Sequence, residues 1–239
     1  MRPPFAFLAL LVASPAAALD YDACMALVAR APEQAEVAAL RWAREGGGDG
    51  AQHCRAMALA AQGALDPAAA LLADLAAAPG PAPAETRAAM LAQAAGFWRA
   101  DGQPMAARAA LDRALDLDRG NVEALAARAD LSASEGHLAA AWADLAAARS
   151  AAPGDAALLV VSAALRRALG DPEGARADAD AALRARPGAA SALFERGAAK
   201  AALGDRPGAR ADWLDAIAAD PDGPDAERAR LALQDMDGG

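Results

Sequence analysis

Four glycines stand 34 residues apart, at Gly102, Gly136, Gly170 and Gly204. Each is followed five residues later by an alanine (Ala107, Ala141, Ala175, Ala209), and seven residues after that by another (Ala114, Ala148, Ala182, Ala216). Five further on, three of the four units carry a proline, Pro153, Pro187 and Pro221, where the first has Arg119. A period held over four units predicts an array in which one supersecondary unit is repeated and stacked on its neighbours. It describes how a surface is built and says less about what that surface meets.

Within each unit the signals are helical. Alanine dominates the chain, and alanine loses no side-chain entropy in a helix. The turn glycine can take the left-handed conformation that ends one helix. After it, Gly170-Asp171-Pro172-Glu173 supplies an N-cap and a proline suited to a first helical turn. The second helix stops before the proline, which cannot continue it. The units therefore run 88–121, 122–155, 156–189 and 190–223, each an antiparallel helix pair. Small side chains predict closely spaced helices.

Particular segments resemble the tetratricopeptide repeat. Phe194-Glu195-Arg196-Gly197-Ala198-Ala199-Lys200-Ala201-Ala202-Leu203-Gly204-Asp205 resembles its first helix and turn. Ala209-Arg210-Ala211-Asp212-Trp213-Leu214-Asp215-Ala216-Ile217, closed by Asp220-Pro221, resembles its second. Trp98 and Trp213 hold the large aromatic places of that pattern. Ser132, Arg166 and Lys200 replace the first in other units, and Leu111, Leu145 and Ala179 replace the second. The resemblance implies an all-α, right-handed solenoid of stacked helix pairs. It also implies a concave groove, lined by the first helices, that takes an extended peptide or a partner helix.

On that geometry Arg99, Glu123, Asp130, Val160, Arg167, Ser191 and Phe194 would project into the groove, with alanine and Gly96 between them. Phe194 and Arg167 are the expected anchors, since aromatics and arginine dominate binding hot spots. The competing reading has Phe194 packed between helices and the arginines solvated. A dense lysine and asparagine clamp for a peptide carboxylate is not present at these places. Arg128 and Arg196 lie eight residues before a turn glycine, and Asp144 and Asp212 lie eight after it. Antiparallel pairing then predicts Arg128–Asp144 and Arg196–Asp212 ion pairs; the alternative is four solvated charges.

Outside the array the pattern loosens. Residues 19–83 read as diverged helical pairs. One is 20–45, with Pro32 opening its second helix. The other is 49–80, with helices over 54–62 and 67–78. Gly46-Gly47-Gly48-Asp49-Gly50 reads as a flexible loop, and Gly80-Pro81-Ala82-Pro83-Ala84 as a break before the repeats, which occupy 84–223. Residues 224–239 read as a capping helix and tail, with Asp225, Glu227, Arg228, Arg230, Gln234 and Asp235 on a polar outer face.

Residues 1–18 have the layout of a cleavable signal peptide: Arg2, an apolar run from Phe5 to Ala13, then Pro15 and Ala16-Ala17-Ala18. The run is short for a membrane span, so cleavage is the expectation and an uncleaved anchor the alternative. An exported chain, periplasmic in a Gram-negative cell, is the expectation, with no stable membrane span after cleavage. Cys24 and Cys54 then form an even pair in an oxidising compartment and read as a disulfide. Free thiols, or a metal site with His53, are the alternatives. Formal net charge is −9 at pH 7, against nonspecific nucleic-acid binding. His53 and His137 are the only histidines. No phosphate loop, nucleophile elbow or His-Glu-x-x-His occurs, so no catalytic residue, cofactor or metal is expected. The reading is a non-enzymatic scaffold of the bacterial envelope that binds a protein or peptide partner. The alternatives are a self-assembling solenoid, or an accessory factor in periplasmic thiol or cytochrome chemistry.

Overall fold

The computed structural model describes residues 19–80 and 82–238. The expected signal segment, 1–18, lies outside the described residues. Thirteen helices follow one another in the described chain with no strand among them. They divide into two compact units, 1–63 and 64–239.

The first unit holds α1 (Tyr21–Arg30), α2 (Pro32–Arg44) and α3 (Gly48–Ala61). Pro32 opens α2, where its missing N–H costs nothing. Cys24 on α1 and Cys54 on α3 are joined by a disulfide with a Cα–Cα distance of 6.2 Å. Both are fully buried and sit with Val28, Ala35, Ala39 and Ala58 at the centre of a small core. The glycine stretch expected to be a flexible loop is largely helical, because α3 starts at Gly48 rather than near Cys54. The Trp42 ring lies over this turn. A Cβ on Gly47 would come within 2.7 Å of it, and one on Gly50 within 3.1 Å. These glycines are close-approach residues.

The second unit begins with α4 (Leu65–Ala77), which packs along α5 (Ala84–Ala100). The break at Gly80–Ala84 therefore does not separate structural units, and the division falls at Gly63 instead of 83/84. Side chains tie both ends of this pair. Arg87 Nε donates to the Ala76 carbonyl at 2.6 Å, and Asp66 Oδ1 accepts from Trp98 Nε1 at 2.9 Å and Gln103 Nε2 at 3.0 Å.

Beyond α5 the period becomes geometry. The remaining helices are α6 (Pro104–Leu117), α7 (Val122–Ser134), α8 (Leu138–Ala151), α9 (Ala156–Ala168), α10 (Pro172–Ala185), α11 (Ala190–Ala202), α12 (Arg206–Ala219) and α13 (Pro224–Gly238). The four turn glycines have φ between +75° and +85°. The residue after each glycine donates its N–H back to the carbonyl five residues earlier, at 2.8–2.9 Å: Gln103 to Trp98, His137 to Ser132, Asp171 to Arg166, Asp205 to Lys200. That bond satisfies a carbonyl the helix end leaves open. All eight repeated alanines are buried.

Odd-numbered helices pack on one another from α5 to α7, α9, α11 and α13, while each even helix packs beside its own partner. The odd helices thus form the closely spaced inner row. The two predicted ion pairs form, and each is bidentate. Arg128 Nε and Nη2 donate to Asp144 at 2.8 Å each, and Arg196 Nε and Nη2 donate to Asp212 at 2.9 and 2.7 Å. Each arginine also reaches the preceding unit, to Asp112 at 2.8 Å and Asp180 at 3.2 Å. These carboxylates hold both guanidinium pKa values above the ordinary arginine value, the hydrogen bonds that the arginines donate to Asp144 and Asp212 being the largest cause.

Packing tightens at the last pair. A Cβ on Gly197 would fall 2.7 Å from the Trp213 ring and 3.1 Å from the Ala209 carbonyl. The Trp213 ring is buried, and its Nε1 donates to the Phe194 carbonyl at 3.2 Å. Gly197→Ala gains helix propensity of about 1 kcal/mol but overpacks a site that cannot give way. We expect a net loss of about 1–2 kcal/mol, read as a lower urea midpoint. A midpoint at or above that of the parent chain would show that α11 and α12 can move apart.

Candidate functional site

The inner row of the second unit carries a pocket of about 360 Å³. Ala129, Asp130 and Ala133 of α7 line it, with Val160, Val161, Ala164, Leu165 and Ala168 of α9, Glu195 of α11 and Arg228 of α13. Its floor is small because alanine and valine fill the helix positions facing inward. A large side chain from elsewhere could occupy the space they leave.

Charged groups stand at both walls. Arg99, at the last turn of α5, donates from Nη1 to Asp130 Oδ2 at 2.6 Å. Both side chains are about half exposed. Across the pocket Glu195 is 2% exposed and accepts two guanidinium bonds. Arg167 Nε reaches its Oε2 at 3.1 Å, and Arg228 Nη2 reaches its Oε1 at 3.0 Å. A carboxylate this buried needs such partners. Arg228 also bonds Asp225 at 2.8 Å and stacks over Phe194, its guanidinium carbon 3.9 Å from the ring centroid.

Two of the seven expected groove residues, Asp130 and Val160, line this pocket, and two more, Arg99 and Arg167, bond to carboxylates that line it. Arg99 pairs with Asp130, Val160 lines the pocket beside it, and Arg167 anchors Glu195 at the far wall. Glu123 is exposed and Ser191 half-buried, and neither lines the pocket. Phe194 departs from its expected role as an anchor. It is 7% exposed and packs with Leu193, Ala209, Trp213 and Ala216, roofed by Arg228. The aromatic face is satisfied inside the protein.

Glu195 and Arg228 line the pocket but are not among the expected groove residues. The sequence pattern puts Arg228 on the outer face of the capping helix, yet it turns back onto α11. A signal existed: Arg228 lies one 34-residue period after Phe194, so both occupy the same repeat position. Glu195 had no such marker, since a buried carboxylate is recognised only by the arginines that reach it from other helices.

His137 Nδ1 lies 3.3 Å from Glu135 on the surface. In the first unit the Tyr21 hydroxyl and His53 Nδ1 are 3.0 Å apart. Among the described residues no group of three or more His, Cys, Asp or Glu side chains is placed to hold a metal ion. No helix among them is long and apolar enough to cross a membrane.

No protein-family model matches the chain, and no curated protein matches it in sequence. Solved structures do. A chain of the APC/C hetero-tetramer Cut9–Hcn1 aligns at TM-score 0.71 with 12% identity, over 88% of this chain and 42% of that one. A tetratricopeptide repeat protein from Parabacteroides merdae aligns at TM-score 0.66 and 19% identity, over 92% and 85% of the two chains. YrrB, described as a TPR protein with an unusual peptide-binding site, aligns at 0.53 and 18%, over 76% and 91%. The present chain thus spans less than half of the Cut9–Hcn1 chain it matches. At such identities the likeness shows the fold, which is that of the tetratricopeptide repeat.

Proposed function

We propose that this tetratricopeptide-repeat solenoid is a non-enzymatic scaffold of the bacterial cell envelope. It takes a peptide or a partner helix in the groove along α7, α9, α11 and α13. The observation that carries the reading is the pocket itself: a floor of small apolar side chains between two charged walls. Such a surface buries a partner's side chains and orients them. YrrB, a TPR protein with an unusual peptide-binding site, lends support at the level of fold. The Cys24–Cys54 disulfide and the signal-like residues 1–18 support export. Release of the chain by osmotic shock tests the compartment.

Ala164 sits in the floor, and Ala164→Trp fills it. After cross-linking in the native cell, a partner that co-purifies with the parent chain is expected to fall about tenfold or more with this variant, a loss of at least 1.4 kcal/mol. The variant's helix content should match that of the parent. Undiminished capture by a folded Ala164→Trp chain would place the partner surface elsewhere.

A further inference from the structure

The walls of the pocket differ in what they have left to offer. Asp130 uses only Oδ2, on Arg99, so Oδ1 is available to accept. Arg167 uses only Nε, on Glu195, so its two terminal amino groups are available to donate. Glu195 is buried with both oxygens engaged, and Arg228 is held between Glu195, Asp225 and the Phe194 ring. The α7 wall thus carries an open, negatively charged hydrogen-bond acceptor, and the α9 rim open, positively charged donors. The apolar floor of Val160, Val161, Ala164 and Leu165 lies between them.

We propose that the groove selects a protein segment in which a large apolar side chain lies between a basic residue and an acidic one. The basic group would bond Asp130, the apolar side chain would fill the floor, and the acidic group would bond Arg167. This rests on the groove being the partner surface and adds the chemistry of what it accepts. Charge complementarity excludes the simpler occupants. A uniformly acidic segment meets Asp130 and a chain of net charge −9. A uniformly basic one meets Arg99, Arg167 and Arg228. An uncharged one leaves the open acceptor and donors without partners.

Synthetic fluorescein-labelled peptides of about nine residues test this, a length that in extended form crosses three helix rows about 9 Å apart. Each carries a central Leu-Trp. Two have lysines on one side and glutamates on the other, in either chain direction; the rest have all-lysine, all-glutamate or all-serine flanks. Fluorescence polarisation with the whole chain should show at least one mixed-charge peptide binding about tenfold or more tighter than the three uniform ones, as charge-assisted bonds at both walls require. Asp130→Asn and Arg167→Gln should each reduce that advantage to about threefold or less, and Ala164→Trp should abolish binding.

Equal binding of all peptides, an advantage unchanged in Asp130→Asn and Arg167→Gln, or no binding of any peptide would each overturn the proposal. If a native partner is still captured in an Ala164-dependent way, those results leave the groove reading intact. Binding that survives Ala164→Trp overturns both. A second copy of the chain as occupant would show as concentration-dependent sedimentation that Ala164→Trp removes, and that result also overturns the proposal.

Discussion

Replacing both Cys24 and Cys54 with alanine is expected to unfold residues 19–63 while residues 64–238 stay folded. The disulfide closes 30 residues of chain and links α1 to α3. A loop of that size is worth about 3–4 kcal/mol in the chain-entropy model. The first unit has little else to draw on. Its core is one small cluster around the two sulfurs, dominated by alanine, with Trp42 and Met57 only partly buried. Its α1 has ten residues, short of the roughly 12–15 that an isolated helix needs in water. Losing several kcal/mol in a three-helix unit removes most of a stability that is small for any short domain. Hydrogen exchange read by mass spectrometry should show protection lost over 19–63 and kept over the repeats. Unchanged exchange across α1 would mean that packing alone holds the first unit.

The second large effect contrasts breaking one charge network with removing it. Arg128→Met leaves Asp144, a half-buried carboxylate, without its bidentate partner, and also strands Asp112. Uncompensated buried charge costs about 3–5 kcal/mol, and water reaching these groups trims that to about 2–3 kcal/mol. For a unit of this length, a fall in Tm of roughly 5–10 °C follows. Replacing Asp112, Arg128 and Asp144 together by alanine should change stability by only about 1 kcal/mol. The protein already contains that version. One period earlier the same three places are Ala78, Ala94 and Ala110, and Ala94 and Ala110 are buried. Two periods separate the complete networks Asp112–Arg128–Asp144 and Asp180–Arg196–Asp212. In the intervening unit, Ala146 and Ser162 replace the first two members. Asp178 remains and accepts from Ser162 at 2.6 Å and from Arg166 Nε at 2.9 Å. Arginine and its cross-unit aspartate are present or absent together, as a network that is costly when incomplete requires. A triple variant as unstable as Arg128→Met would show that the network contributes net stability.

These cases separate what could be read along the chain from what could not. The turn glycines, the buried alanines and the intra-unit ion pairs were legible because each is a local constraint repeated at a fixed distance. A left-handed turn needs glycine wherever it occurs, and antiparallel helices put equal distances from the turn side by side. The pairing of α4 with α5 was not legible. Gly80–Ala84 carries breaker residues but joins two helices tied by Arg87, Trp98 and Asp66. Breaker residues mark where a helix stops and not whether the next one packs on it. In the first unit, glycines that lie against the Trp42 ring look in sequence like any flexible run.

The groove divides in the same way. The expected places of Arg99, Asp130, Val160 and Arg167 came from the repeat geometry that the resemblance implies, in which register decides which face of a helix a residue occupies. Register cannot decide what lies above a side chain on that face. Phe194 is covered by Arg228, from another helix, and Glu195 is held by arginines 28 residues before it and 33 after it. The sequence by itself determined the repeat and the helix pairs within it, since these follow from backbone conformation and periodic burial; the inner row was an implication of the family resemblance. Only the tertiary structure decided which inner residues are spent on the protein's own packing and which stay open. That outcome depends on how far side chains reach between helices remote in the chain, and no local pattern encodes it.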